Sequence, residues 1–262
     1  MNERYENEIK EYTHWIQSFG NDRLTRWKNL LQSNPESALC EAMTCQLLIN
    51  NGCSVEPFED LSSGGVDFKC IKNQQEFFVE VTCISQEKVT DKTKLADDIN
   101  AGATYYRSLT KVFWNELCQK TSQCSGLNAP CIVVIGTYHF RGGCLCFNDR
   151  KAEEILTGKP YIAMALDSNK GKAVGEPYQE TDLESAAFLR PIKKEQGKGI
   201  EYARSPISAV LLCPFGAPRP NIVGVLHPNP NFLFDRKLLP KVKFGKLKEG
   251  YKTTGILQVE WI

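Results

Sequence analysis

Apolar residues change their period along the chain, and each change predicts a different element. Tyr5, Ile9, Tyr12, Trp15, Ile16 and Phe19 fall on one stripe of a 3.6-residue repeat, so residues 1–20 are expected to form an amphipathic helix. A second, shorter helix carries Leu24, Trp27, Leu30 and Leu31. From Ala38 to Ile49 the run is apolar nearly all round, which predicts a buried helix. Asn34-Pro35-Glu36 starts it with a capping residue, a first-turn proline and an acid at the positive end of the dipole. Asn51-Gly52 ends it.

Strand patterns follow. Cys53 to Phe58 and Gly65 to Ile71 read as strands, separated by a turn-rich loop at 61–65. Lys72 to Gln75 reads as a turn, and Glu76 to Ile84 as a long strand of β-branched and aromatic residues. On that strand Phe78, Glu80, Thr82 and Ile84 share one face, and Phe77, Val79, Val81 and Cys83 the other. Both faces are largely apolar, so the strand is expected to be central and covered on both sides. Gln86 to Lys94 reads as a polar linker to a long helix from about Asp97 to Gln123, and Pro130 to Gly136 as a buried strand. That order suggests a crossover within one sheet. Residues 141–203 are expected to hold a short alternating stretch, a small helix near Glu153 and a Gly/Lys-rich insertion or mobile loop. Ile207 to Cys213, Ile222 to Leu226 and Gly255 to Ile262 read as strands.

At 262 residues the chain suits one large domain or a core with an appendage. The expected organisation is a helical extension over 1–34, a core over 35–140 and a β-rich extension over 141–262. A net charge of +1 argues neither for nor against nucleic acid. Only the C-terminal third is locally basic, with Arg236, Lys237, Lys241, Lys243, Lys246 and Lys248, and this reads equally as a solvated face or a phosphate track. The start lacks an apolar signal core, and no apolar run reaches the roughly 18 residues of a bilayer span. A cytoplasmic protein without membrane contact is expected, its 11 cysteines mostly reduced. Cys118, Cys124, Cys131 and the Cys144-x-Cys146 pair lack the paired spacing of a zinc site.

Three acids stand in apolar settings. Glu41 is the only charge in its helix segment, one turn from Ala38 and Cys45, and Asp67 and Glu80 occupy strand positions. An unpaired buried charge is costly, so such carboxylates pair, protonate or bind a metal. Held together, the three suit a divalent cation.

The order of these elements, with Gly65-Val66-Asp67-Phe68, Phe78-Val79-Glu80-Val81-Thr82 and the preceding helix from Glu41 to Gly52, resembles the core of the PD-(D/E)xK nuclease superfamily. The resemblance covers about residues 35–137. It implies an α/β restriction-endonuclease-like core with a mixed central sheet flanked by helices. It also implies a metal-dependent nuclease that hydrolyses phosphodiester bonds of nucleic acid, with DNA the expected substrate and a homodimer a common arrangement. Asp67, Glu80 and the Val81 carbonyl would bind Mg2+, with Mn2+ a substitute, and Glu41 would complete the site. Val66 stands where the family has proline, and Thr82 where it has the catalytic lysine. A hydroxyl carries no positive charge for a phosphorane.

Phe113, Leu117 and Lys120 lie at i, i+4 and i+7, so Lys120 ends an apolar stripe and is the candidate relocated lysine, with Gln123 beside it. Equally, Lys120 could snorkel from a buried stem. Lys69 and Lys88 are poorer candidates. One rival reading is a degenerate member that binds nucleic acid or a protein without cutting. The other is a cysteine or serine hydrolase using His139 or His227 with Cys131, Cys144 or Cys213, although no nucleophile signature surrounds them.

Overall fold

A computed structural model describes residues 5–60, 64–98, 100, 105–167, 171–194, 197–249 and 257–262. Helices α1 (Glu6–Gln17), α2 (Asn21–Ser33) and α3 (Pro35–Asn50) open the chain. Strands β1 (Ser54–Pro57), β2 (Phe68–Lys72) and β3 (Gln75–Cys83) follow, then α4 (Gln86–Thr93), α5 (Thr110–Lys120) and β4 (Cys131–Gly136). Next come α6 (Phe140–Cys146), α7 (Asp149–Thr157) and strands β5 (Lys159–Asp167), β6 (Lys172–Asp182), β7 (Leu189–Lys194) and β8 (Gly197–Tyr202). The chain ends with β9 (Ile207–Cys213), β10 (Val223–Leu226), β11 (Lys243–Leu247) and β12 (Val259–Trp261).

Eight strands form one sheet in the order β1-β2-β3-β4-β9-β10-β11-β12. The β1-β2-β3 part is antiparallel, β3, β4 and β9 run parallel, and β10 turns back against β9. Two-residue alternation divides the core between the faces. Phe77, Val79 and Val81 of β3 join Ile132 and Val134 of β4 beneath the α1–α3 side, while Phe78 and Ile84 join Val133, Ile135, Phe113 and Leu117 on the α5 side. The fold is therefore mixed α/β, with a central sheet flanked by helices. No helix of the described residues is long and apolar enough to cross a membrane.

The α3 start matches its sequence signals: Asn34 Oδ1 accepts the Ser37 amide at 3.3 Å, with proline in the first turn. Glu36 does more than answer the dipole. Its Oε2 accepts the Gln86 amide at 2.9 Å, tying α3 to the start of α4.

Several expectations are corrected. The supposed linker at 86–94 is α4, because Ser85 caps it through the Lys88 amide and Val89 is buried against the core. The long helix from Asp97 to Gln123 is only α5, so its described N-terminal half is not helical; residues 99 and 101–104 lie outside the described residues. The alternating stretch at Cys144 is α6, capped by His139. The small helix expected near Glu153 is α7, but the Gly/Lys-rich stretch after it is not a loop: it forms two antiparallel hairpins, β5–β6 and β7–β8, outside the main sheet. Strand β11 lies within the basic stretch, where the surrounding lysines hid the buried Phe244 and Leu247. The expected loop at 61–65 and the start of the last strand at 255 fall partly outside the described residues.

Candidate active site

The site forms where β2 leaves β3. Their pairing runs from Lys72↔Gln75 to Phe68↔Val79 and stops. One step further, the Val81 amide finds the Asp67 carboxylate, whose Oδ2 accepts it at 2.6 Å. A side chain thus replaces a ladder carbonyl. The backbone oxygen of Asp67 accepts the Phe58 amide at 2.8 Å, so Asp67 is held from both sides.

Glu80 follows the β3 alternation onto the α5 face and is 2 % exposed. Phe113 and Leu117 bury the stripe of α5 that carries Lys120 inward, and Lys120 Nζ reaches Glu80 Oε1 at 2.6 Å. The other oxygen of Glu80 is buried and accepts no hydrogen bond among the described residues. Glu41 comes from α3 and remains partly open to a narrow cavity. A fourth acid, Glu59, lies just beyond β1 and pairs with Arg26 of α2, while Arg23 donates to the Glu59 carbonyl at 3.3 Å.

These charges act on one another. Burial pushes the Glu41 carboxyl up to about 8; Glu59 and Glu80 add to the shift, and Arg26 and Lys120 oppose it. Burial, then Glu41 and Glu80, holds Asp67 well above the usual carboxylate range. Glu80 is raised by burial despite the opposing Lys120 ammonium. Burial alone would lower Lys120, but Glu80, Asp67 and Glu116 outweigh it and hold its pKa above the ordinary lysine value. Four carboxylates thus share two cations, and proximity and a low dielectric, not contact, couple the acids.

The cavity over Glu41, Glu59 and Asp67 is walled by Tyr12, Trp27 and Arg26, and holds about 30 Å3. That is room for about one or two waters or an ion, and none for a nucleotide. The covering helices are fixed in part by the Trp27 Nε1–H donating to Thr13 Oγ1 at 2.9 Å and by packing of Trp27 on Tyr12.

Thr82 does not meet the acids directly. Its hydroxyl donates to Glu116 Oε2 at 2.9 Å, and Lys88 Nζ donates to Glu116 Oε1 at 2.5 Å. Glu116 is buried one turn before Lys120 on the same face of α5, so this second network adjoins the first. Gln123 lies beyond the end of α5, and no hydrogen bond among the described residues joins it to the acids. Lys69 pairs with Glu76 at 2.7 Å instead.

Sequence reading missed Glu59, Arg26 and Glu116 and undervalued Lys88. Glu116 carried a signal, a carboxylate at i−4 from Lys120 on an apolar stripe. Arg26 and Glu59 carried none, since each sits among polar neighbours and only tertiary packing brings them together.

The hydrolase rival fares badly. Burial pushes the Cys131 and Cys213 thiols up, away from thiolate, with Cys124 contributing first at Cys131. His139 Nδ1 accepts the Gly142 amide at 2.9 Å, and its Nε2 lies 3.1 Å from Thr90 Oγ1. His227 accepts the Asn229 amide at 2.9 Å, and burial lowers it to about 3. Among the described residues no hydrogen bond joins either ring to a cysteine thiol; the hydroxyl at His139 is that of Thr90, and Asp97 Oδ1 lies 3.2 Å from its Nδ1.

Among the described residues, no group of three His, Cys, Asp or Glu side chains is posed to hold a metal ion. Glu80 is turned to Lys120 and Asp67 to the Val81 amide. The donor chemistry nonetheless fits a hard divalent cation: coupled buried carboxylates with raised pKa values and an unsatisfied Glu80 oxygen. Comparison with known proteins returns nothing: no family model, no curated protein and no solved structure matches this chain.

Proposed function

We propose that the protein is a metal-dependent nuclease of the PD-(D/E)xK type, in which the lysine missing at Thr82 is replaced by Lys120. The observation that carries this reading is the 2.6 Å pair between Lys120 and Glu80 beside Asp67 and Glu41. It places a cation from α5 at the second acid of the motif. The reading is further supported by α3 followed by an antiparallel β1-β2-β3 meander and a crossover to the parallel β4. This is the element order on which the resemblance to a restriction-endonuclease-like core rests.

In this reading Asp67, Glu80, Glu41 and the Val81 carbonyl hold Mg2+ or Mn2+. The ion, when bound, lowers the pKa of an attacking water and offsets charge on the phosphodiester. The chain's own groups do the rest. Glu80 would turn its unpaired oxygen to the ion, and Lys120, beside its other oxygen, would be the ammonium that faces a scissile phosphate. Glu116 holds Lys88 and Thr82 beside it as a second cation and a hydroxyl donor. DNA is the proposed substrate, in the cytoplasm and without a membrane, and a homodimer would suit cleavage of both strands.

The closed cavity favours a second reading. With Arg26 on Glu59 and Lys120 on Glu80, the acids are partly neutralised and no nucleotide reaches them, as suits a degenerate scaffold that binds without cutting. Cleavage of labelled single- and double-stranded DNA and RNA, with Mg2+ or Mn2+, separates the two. Metal-dependent cutting that disappears in Glu80→Ala and Lys120→Ala is the nuclease result. No cutting of any substrate leaves the binding module.

A further inference from the structure

Register across the sheet leads from Thr82 to a second charged region. Thr82 pairs with Ile135, Ile135 with Leu212, Leu212 with Val223 and Val223 with Lys243. Four inter-strand steps of about 4.8 Å place Lys243 ~19 Å from Thr82 across the sheet. Lys243 lies over Trp261 and pairs with Asp149 at 2.5 Å. Asp149 opens α7, and there the N-terminal ends of α5 and α7 border an open groove of about 730 Å3. That is the size of a ligand cleft, where the cavity over the acids admits only water or an ion.

The groove is cationic. Asp149 is answered by Lys243, and Lys151 by the buried Glu154. Arg107, Arg150 and Lys159 are exposed, and among the described residues none has a carboxylate partner. Arg150 lies in the first turn of α7, where the dipole disfavours a cation, so helix stability does not explain it. Beside these cations Tyr105 is 88 % exposed, and Tyr106 is half-buried with its hydroxyl 3.5 Å from the Leu145 carbonyl. A bare aromatic ring beside uncompensated cations suits a strand whose bases are free to stack. A duplex hides its base faces, so it could use the cations alone.

We propose that this groove, lined by Tyr105, Tyr106, Arg107, Arg150 and Lys159, binds single-stranded nucleic acid: phosphates on the cations, a base on Tyr105. This deepens the nuclease reading and rests on it only for the fate of the bound strand.

The test is fluorescence anisotropy of labelled oligo(dT), oligo(U) and a blunt DNA duplex with the full chain. EDTA is present throughout, so cleavage does not intervene. The Arg107→Ser/Arg150→Ser/Lys159→Ser protein is expected to bind single strands at least tenfold more weakly. Its slope of log affinity against log salt should fall by about two, at ~0.7 per phosphate contact. Tyr105→Ala is expected to lose about tenfold with an unchanged slope. Lys10→Ser, on the exposed face of α1, is the folded control. The two single-stranded probes tell DNA from RNA. Wild-type affinity and slope in the triple variant overturn the groove, as does duplex binding equal to single-strand binding with no Tyr105→Ala effect. A wild type that binds but never cleaves with metal leaves the groove standing and removes the nuclease reading. A wild type that cleaves while the triple variant binds normally removes the groove alone.

Discussion

Glu80 and Glu154 are both 2 % exposed, both packed near α5 and both paired with a lysine, yet they are built differently. Glu154 is fully answered: Ser108 Oγ donates at 3.2 Å, Thr110 Oγ1 donates to the same oxygen, and Lys151 takes the other. Glu80 has Lys120 on one oxygen and nothing on the other, and it shares its surroundings with Glu41, Asp67 and Glu59. A carboxylate kept for structure is surrounded by donors, as at Glu154. One kept among other acids with a bare oxygen opposes folding, and such strain is commonly retained for chemistry. Burial alone does not separate the two; satisfaction does.

The sharpest break between them is in activity. Glu80→Gln is expected to lower metal-dependent cleavage by about a thousandfold or more, a loss of ~4 kcal/mol in transition-state stabilisation. Single-turnover rates check this, and near-wild-type cleavage by Glu80→Gln would falsify the assignment. Stability should show the opposite order. Glu154→Gln breaks the Lys151 pair and sets an amide NH2 against the Ser108 and Thr110 hydroxyls, and is expected to cost about 3 kcal/mol, whereas Glu80→Gln loses the Lys120 pair but relieves repulsion among the acids and should cost clearly less. Urea unfolding measures both, and a larger loss for Glu80→Gln would contradict the comparison.

Glu41 sharpens the contrast through pH. Its carboxyl titrates near 8 in the fold, against roughly 4.3 when unfolded. Between those values the native state holds a proton that the unfolded state has released. Its contribution is therefore full below the unfolded value and lost as pH rises through 8, with a slope of up to ~1.4 kcal/mol per pH unit. Glu41→Gln should remove that slope between pH 5 and 8, and an unchanged slope in the variant would place the titration elsewhere. The smallest expected effect is that of the ion. A Mg2+ concentration tenfold above its dissociation constant at pH 8 should stabilise the protein by about 1.4 kcal/mol there, and the same concentration by less at pH 5.5, because binding displaces protons. A thermal shift that is equal at both pH values would point to a site other than these acids.

Much of this arrangement was legible in the chain. The apolar alternation of β3 marked a central strand, and it placed Glu80 opposite Val81 and on the face that α5 covers. The i, i+4, i+7 spacing from Phe113 brought Lys120 to the sheet. What stayed hidden depends on tertiary packing. Arg26 meets Glu59 only because α2 lies over the end of β1, and neither residue breaks its local pattern. Helix α4 was masked by a polar sequence whose single apolar residue, Val89, is too little for periodicity to detect. Strand β11 was masked by Lys241, Lys243, Lys246 and Lys248, which read as a charge run although Phe244 and Leu247 between them are buried.

Calorimetric titration of Mn2+ into the wild type, Glu80→Gln and Glu154→Gln at pH 8 tests the central claim most directly. The account predicts one binding event that the wild type and Glu154→Gln share and Glu80→Gln lacks. Binding that survives in Glu80→Gln, or a wild type that binds no ion, would contradict it.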